Sequence, residues 1–95
     1  HYPRLVRPGT VVDALALNLD FPATLLELAG VPLRWEQQGR SLLPLLRSER
    51  PADWRTHFLY ENYRDPEYPD VTFDIHAVRT DRAKLVEYPG RPEWT

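Results

Sequence analysis

The stretch from Leu19 to Leu46, LDFPATLLELAGVPLRWEQQGRSLLPLL, decides how the rest of the chain is read. Asp20 is read as the N-cap of a helix, its carboxylate accepting from the free amides of the first turn. Pro22 falls within that turn, where its missing N–H costs nothing. Phe21, Leu25, Leu28 and Ala29 recur at helical spacing on one face. Gly30 then offers the left-handed residue that closes a helix, and Pro32 bars continuation. The pattern predicts a helix over 22–29. After the loop RWEQQG, Gly39 is read as a glycine with positive φ. Arg40 is read as pinning that loop through a bidentate pair to a carboxylate. Ser41 is read as the N-cap of a short helix over 42–47.

Working outward, TVVDALALNL (10–19) is apolar on nearly both alternating faces, as in a strand buried within a larger sheet. A strand is predicted over 14–18, although Ala and Leu also favour helix. RSERPAD (47–53) is a polar linker. Beyond Trp54, aromatic and β-branched residues take over, and THFLYENY (56–63) is predicted as a strand. Residues 64–74 form a polar loop with Pro66 and Pro69. IHAVRT (75–80) and AKLVEY (83–88) read as an antiparallel hairpin turning at Asp81–Arg82. The tail PGRPEWT (89–95) carries no periodic pattern. The expected class is α+β in two regions. Strand, helix and short helix occupy 1–48, with apolar faces that call for a large neighbour. A small antiparallel sheet of about three strands occupies 49–95.

Composition narrows the function classes. A chain of 95 residues holds one ordinary domain at most. Apolar residues are 42% and charged residues 27%, both usual for a globular protein, and the net charge of −2 leaves no electrostatic footprint for nucleic acid. No apolar run approaches the ~20 residues of a membrane helix, and HYPRLVRPG has no signal-peptide core, so neither a membrane partner nor a compartment is read from the chain. Cysteine is absent, which removes disulfides, thiolate nucleophiles and cysteine metal sites together.

Taken in order, GTVVDALALNLDFPATLLELAGVP, QGRSLLPLL, FLYENY and HAVRTDRAKLVEYP resemble the C-terminal part of the type I, formylglycine-dependent sulfatases of the alkaline-phosphatase-like superfamily. The resemblance covers residues 9–89. It implies an α+β fragment of an α/β parent, with 1–48 ending the large domain and 49–95 forming a C-terminal antiparallel subdomain cut before the family's last segment. It also implies a parent that hydrolyses sulfate esters with a formylglycine nucleophile and a calcium ion. The family's Asp-x-x-Pro-Thr helix start is here Asp20-Phe21-Pro22-Ala23-Thr24, with Pro and Ala exchanged. The nucleophile motif, Cys/Ser-x-Pro/Ala-x-Arg, is missing: the two serines, Ser41 and Ser48, do not fit it, and the paired aspartates of the calcium site are also missing. Lys84, the only lysine, sits in the terminal hairpin and does not match the catalytic one. No catalytic or metal-binding residue is therefore expected in the chain, and no cofactor; calcium and formylglycine are expected in the parent.

The candidates that remain are binding residues. His76, at the end of the 64–74 loop, and Arg79 are suited to a sulfated sugar, since loops of this subdomain border the family's substrate site and a cation suits an oxyanion. Against this stands a solvated strand histidine. Tyr68 and Phe73 are open candidates for a sugar platform, whereas Tyr60 is read as sheet packing. Asp20, Gly30, Gly39, Arg40 and Ser41 are given structural roles. The expected partners are an upstream sulfatase domain and, in the parent, a sulfated small molecule or sugar. An apolar docking face is expected near Val11–Leu19 and on the outer face of 22–29, through which the chain alone could self-associate. The alternative reading is a stand-alone interaction or carbohydrate-binding module.

Overall fold

Five elements follow one another among the described residues: helices α1 (Asp20–Leu28) and α2 (Leu43–Leu46), then strands β1 (His57–Asn62), β2 (Ile75–Thr80) and β3 (Lys84–Glu87). They are those of a computed structural model, which describes residues 2–32 and 34–92. The chain divides into two units, His1–Trp54 and Arg55–Thr95.

In the first unit the fold is organised by one carboxylate. Asp20 has no exposed surface. Its Oδ2 accepts the Leu17 N–H at 2.8 Å, and its Oδ1 accepts the Arg40 N–H at 2.8 Å. It is not the N-cap: α1 is preceded by Leu19, which makes no side-chain cap bond. Asp20 instead reaches back three residues, as the acidic member of a capping box does, and holds a loop from elsewhere with its second oxygen. Thr24, one turn on, repeats the device: its hydroxyl donates to the Asp20 carbonyl at 2.6 Å and accepts the Leu42 N–H at 2.9 Å. Two polar side chains on one face of α1 thus fix the backbone of 40–42.

Gly39 lies inside this clamp. Its φ is not positive, unlike those of Gly9, Gly30 and Gly90. Its requirement is closeness: a Cβ at this position would overlap the Leu19 carbonyl oxygen. Gly30 has φ +67°, and the Gly30 and Val31 amides donate to Glu27 and Leu26, which is the Schellman pattern of a helix end. Ser41 stands one residue before the cap of α2, and its hydroxyl accepts the Leu43 N–H at 3.2 Å. Arg40 lays two nitrogens on Asp53, NH1 on the backbone carbonyl at 2.8 Å and NH2 on both carboxylate oxygens at 2.9 and 3.0 Å. That guanidinium, first by its hydrogen bond, holds the Asp53 carboxyl below its ordinary value. Its Cζ also lies 4.8 Å from the Trp54 ring centroid. The Trp54 indole N–H donates to the Leu15 carbonyl at 2.9 Å, within the unit His1–Trp54.

The strand predicted over 14–18 does not form; these residues run as irregular backbone against Trp54. A strand needs a ladder partner, and every strand among the described residues lies between His57 and Glu87. The apolar stripe of α1 also faces outward. Phe21, Leu25 and Leu28 are 57%, 64% and 43% exposed, while Asp20, Ala23 and Thr24 are buried, with Leu43, Leu45 and Trp54 completing the small core.

The second unit is a sheet of order β1-β2-β3, antiparallel throughout. Tyr60 pairs with Ala77 and Ala77 with Val86. Alternation puts Phe58, Tyr60, Ile75, Ala77 and Val86 on one face, where they line an apolar depression of about 480 Å³. The β2–β3 turn is held by Thr80, whose hydroxyl accepts the Arg82 and Ala83 amides. No helix among the described residues is long and apolar enough to cross a membrane.

Asp20→Ala is expected to lower the unfolding free energy by about 3 kcal/mol, because two backbone amides lose a charged acceptor. Gly30→Ala is expected to cost about 1–3 kcal/mol through its positive φ, and Gly39→Ala more than Gly30→Ala through backbone overlap. Urea unfolding followed by tryptophan fluorescence measures all three; an equal or smaller loss at Gly39 would count against the close approach.

Candidate functional site

Strand lengths and pairing bring the polar loops of the second unit to one end of the sheet. β1 ends at Asn62, β2 begins at Ile75 and β3 ends at Glu87, so 63–74 and 88–91 leave from the same edge. His76 is the second residue of β2. Its direct neighbours across the ladder are Glu61 on β1 and Glu87 on β3. Tyr63 stands edge-on to it, with ring centroids 6.3 Å apart and planes at 70°. The charge of Glu61, and then its hydrogen bond, push the Tyr63 phenol above its ordinary value. A histidine between two carboxylates, beside a phenol, forms a half-exposed polar strip that can donate to and accept from a sugar's hydroxyls.

The loop beside this strip is fixed by its own bonds. Asp74 Oδ1 accepts the Arg64 N–H at 2.7 Å, and Asn62 Nδ2 donates to the Phe73 carbonyl at 2.8 Å, so the loop's two ends are tied together. Within it, Asp65 Oδ1 accepts the Glu67 amide at 2.9 Å, and the Thr72 hydroxyl accepts the Asp65 amide at 2.8 Å and donates to the Tyr68 carbonyl at 2.9 Å. Tyr68 projects from this frame with its side chain exposed. A loop closed in this way carries side chains at set positions, as binding loops on rigid scaffolds do.

Arg79 is not brought to this group. It lies three residues beyond His76, about 10 Å along the strand, and on the opposite face, across from Phe58 and Lys84. It borders the apolar depression together with Tyr60. Asp20, Gly39, Arg40 and Ser41 belong to the first unit, in the clamp described above, and Gly30 closes α1 there.

Pattern alone gives Tyr88 to the last strand and leaves residues 89–91 in the tail without periodicity, yet 88–91 belong together. They form a turn: the Arg91 N–H donates to the Tyr88 carbonyl at 2.9 Å, with Gly90 at φ +80°. Proline followed by a positive-φ glycine is the signature of a type II turn, and Tyr88-Pro89-Gly90-Arg91 carries it. That dipeptide was the signal for the turn. The turn sets the Arg91 guanidinium 4.6 Å from the centroid of Phe73. Residues 93–95 of the tail lie outside the described residues.

Among the described residues, no three His, Asp or Glu side chains converge in a way that could hold a metal ion.

The chain is matched over residues 1–95 by the family model described as N-sulphoglucosamine sulphohydrolase, C-terminal. An N-acetylglucosamine-6-O-sulfatase of Bacteroides thetaiotaomicron is 36% identical over 98% of this chain and 17% of its own length. Human arylsulfatase A is 37% identical over 87% of this chain and 15% of its own length. The crystal structure of an inferred sulfatase from Bacteroides thetaiotaomicron superposes with a TM-score of 0.62 at 34% identity, over 78% of this chain and 16% of that one. The chain thus spans about one sixth of the length of these proteins.

The Tyr63 phenol is expected to titrate above an ordinary tyrosine, and Glu61→Gln to bring it back down, since the carboxylate charge is the first cause of the shift. Ultraviolet pH titration of the protein and of Glu61→Gln, with Tyr63→Phe identifying the transition, checks this; an unchanged Tyr63 transition in Glu61→Gln would refute the assignment.

Proposed function

Because the chain belongs to the N-sulphoglucosamine sulphohydrolase C-terminal family, we propose that the protein carrying it hydrolyses sulfate esters of glucosamine-type sugars. The observation that carries this reading is the agreement of two names. The family description specifies a glucosamine sulfated on nitrogen and the bacterial relative at 36% identity one sulfated on O6, so they agree on the sugar and the relative supplies the ester. The contribution of this chain is to bind and to position. The formylglycine is assigned to the rest of the protein, because this chain has no cysteine and neither Ser41 nor Ser48 lies in a Cys/Ser-x-Pro/Ala-x-Arg context. Calcium is assigned there too, because among the described residues no three His, Asp or Glu side chains converge. His76 and Tyr68 are given contact with the sugar at the rim of the substrate pocket. This is supported by their common place at the loop end of the sheet and by the fixed loop that carries Tyr68. Arg79, on the other face, is kept out of this group.

The outward stripe of Phe21, Leu25 and Leu28, with Val11 81% exposed, is assigned to the larger sulfatase domain as a packing face. The support is twofold. The stripe is apolar at helical spacing yet uncovered within its own unit, and the relatives hold more than four fifths of their length outside the matched segment. Burial of a leucine side chain at such a contact is worth about 1.5–3 kcal/mol.

Two experiments test these assignments. The full-length protein is expected to release sulfate from glucosamine 6-sulfate in preference to an aryl sulfate, while the 95-residue chain alone releases none from either. His76→Ala in the full-length protein should raise KM with little change in kcat. Sulfate release by the isolated chain, or a fall in kcat alone in His76→Ala, would sink the division of labour; a preference for the aryl sulfate would sink the substrate class. Separately, Leu25→Asp should reduce self-association of the isolated chain in light scattering and lower the melting temperature of the full-length protein. A full-length protein that melts unchanged would show that the stripe is not a packing face.

A further inference from the structure

The sheet of the second unit ends in two open edges, since β1 and β3 each pair with β2 alone among the described residues. Every second residue of such a strand turns its N–H and C=O away from the ladder, where a further strand can take them. The two edges differ. β3 is four residues long and carries Lys84. A short edge with a lysine resists pairing. β1 is six residues, HFLYEN, with no lysine, no proline and a register unbroken by a bulge. Its Leu59 and Tyr60 are 62% and 49% exposed, and His57 and Glu61 are exposed as well. An edge this long and apolar is a template for another strand.

The order of residues in β1 says which strand suits it. Two copies related by a two-fold axis normal to the sheet pair antiparallel, and each face of one continues the same face of the other. Side chains alternate between faces, so residues that pair must agree in parity, and the axis passes through a residue. With Leu59 on the axis, Leu59 meets the partner's Leu59, Phe58 meets the partner's Tyr60, and His57 meets the partner's Glu61. Apolar, aromatic and opposite-polarity pairs of this kind stabilise a ladder. The neighbouring registers lose the match. An axis on Tyr60 sets Leu59 against the partner's Glu61, and an axis on Glu61 sets two carboxylates against each other. Both polar groups have capacity for the contact. His57 Nδ1 lies 3.2 Å from Thr56 Oγ1, which leaves Nε2 for a partner. Glu61 hydrogen-bonds Tyr63, and a carboxylate has lone pairs for a second donor. Phe58 and Tyr60 line the apolar depression, so pairing extends that face across both copies.

We propose that the outer edge of β1 is an interface with a second copy of this chain, the two strands paired antiparallel about Leu59 into one continuous sheet. The inference does not rest on the sulfated-sugar reading, and sulfate release does not enter its test.

Sedimentation velocity of the full-length protein measures the association, and single cysteines fix the register. Directly opposed residues have Cα atoms about 4.5–5.5 Å apart, within the range of about 4.4–6.8 Å that a disulfide spans. Leu59→Cys, oxidised, is expected to give a disulfide-linked dimer beyond any seen in the unsubstituted protein. Tyr60→Cys is expected not to, because its counterpart lies on the diagonal, about 7–8 Å away. His57→Glu sets like charges at both symmetry-related pairs and should weaken the dimer about tenfold. Adding Glu61→His to that variant restores opposite partners and should recover the dimer. A full-length protein that stays monomeric, or a Leu59→Cys variant that stays unlinked, overturns the pairing and gives the edge to another occupant, such as a strand of the larger domain. Equal linking through Tyr60→Cys, or a dimer that His57→Glu leaves unmoved, overturns it too, because the contact then lies elsewhere.

Discussion

The first unit depends on one buried carboxylate accepting two backbone amides. Asp20 receives the amides of Leu17 and Arg40, which are separated by much of the unit's chain. A buried carboxylate is costly unless its lone pairs are filled, and charged acceptors form the stronger class of hydrogen bond. Once Asp20 is satisfied in this way, other choices follow from it. The loop must come close enough for its amide to reach Oδ1, so residue 39 must be glycine to pass the Leu19 carbonyl. Arg40 is then placed to reach Asp53 and Trp54, and Thr24 to receive the Leu42 amide. The same geometry turns the polar face of α1 inward, which leaves Phe21, Leu25 and Leu28 outside.

That inversion explains where the sequence was legible and where it was not. The helix ends and strands were readable because their signals are local: Gly30 with Pro32, the β-branched and aromatic runs, and the turn at Asp81–Arg82. The β2 range, 75–80, agrees with the alternation pattern residue for residue. The role of Asp20 was not readable in the same way. Its type and position suit an N-cap, and only the long-range bond to residue 40 shows that it serves a loop instead. Gly39 is a similar case, since close approach and positive φ both call for glycine and no single sequence separates them. The segment 14–18 has strand composition, but a strand is a property of a pair, and no partner for it stands among the described residues of its unit.

For the candidate site, sequence order placed His76 and Tyr68 at the loop end, because both flank the long polar connection. It also grouped His76 with Arg79, two residues that share a strand but have opposite faces. Their spacing of three places them on opposite sides of any regular strand, and the register assigns each its side.

The two units show one principle applied in two directions. In the first, polar groups are spent inward: Asp20, Thr24 and the Trp54 indole each satisfy the unit's own backbone, and apolar side chains are left outside. In the second, the backbone is satisfied by the sheet ladder and by a loop that bonds to itself, which leaves the Tyr68 side chain exposed. A chain of the sulfatase family without a nucleophile motif thus still carries two distinct surfaces. Its first unit presents an apolar one at Phe21, Leu25 and Leu28. Its second unit presents a polar edge on a fixed frame, and for a charged sugar, recognition by such an edge depends on how little its donors must rearrange when the ligand arrives.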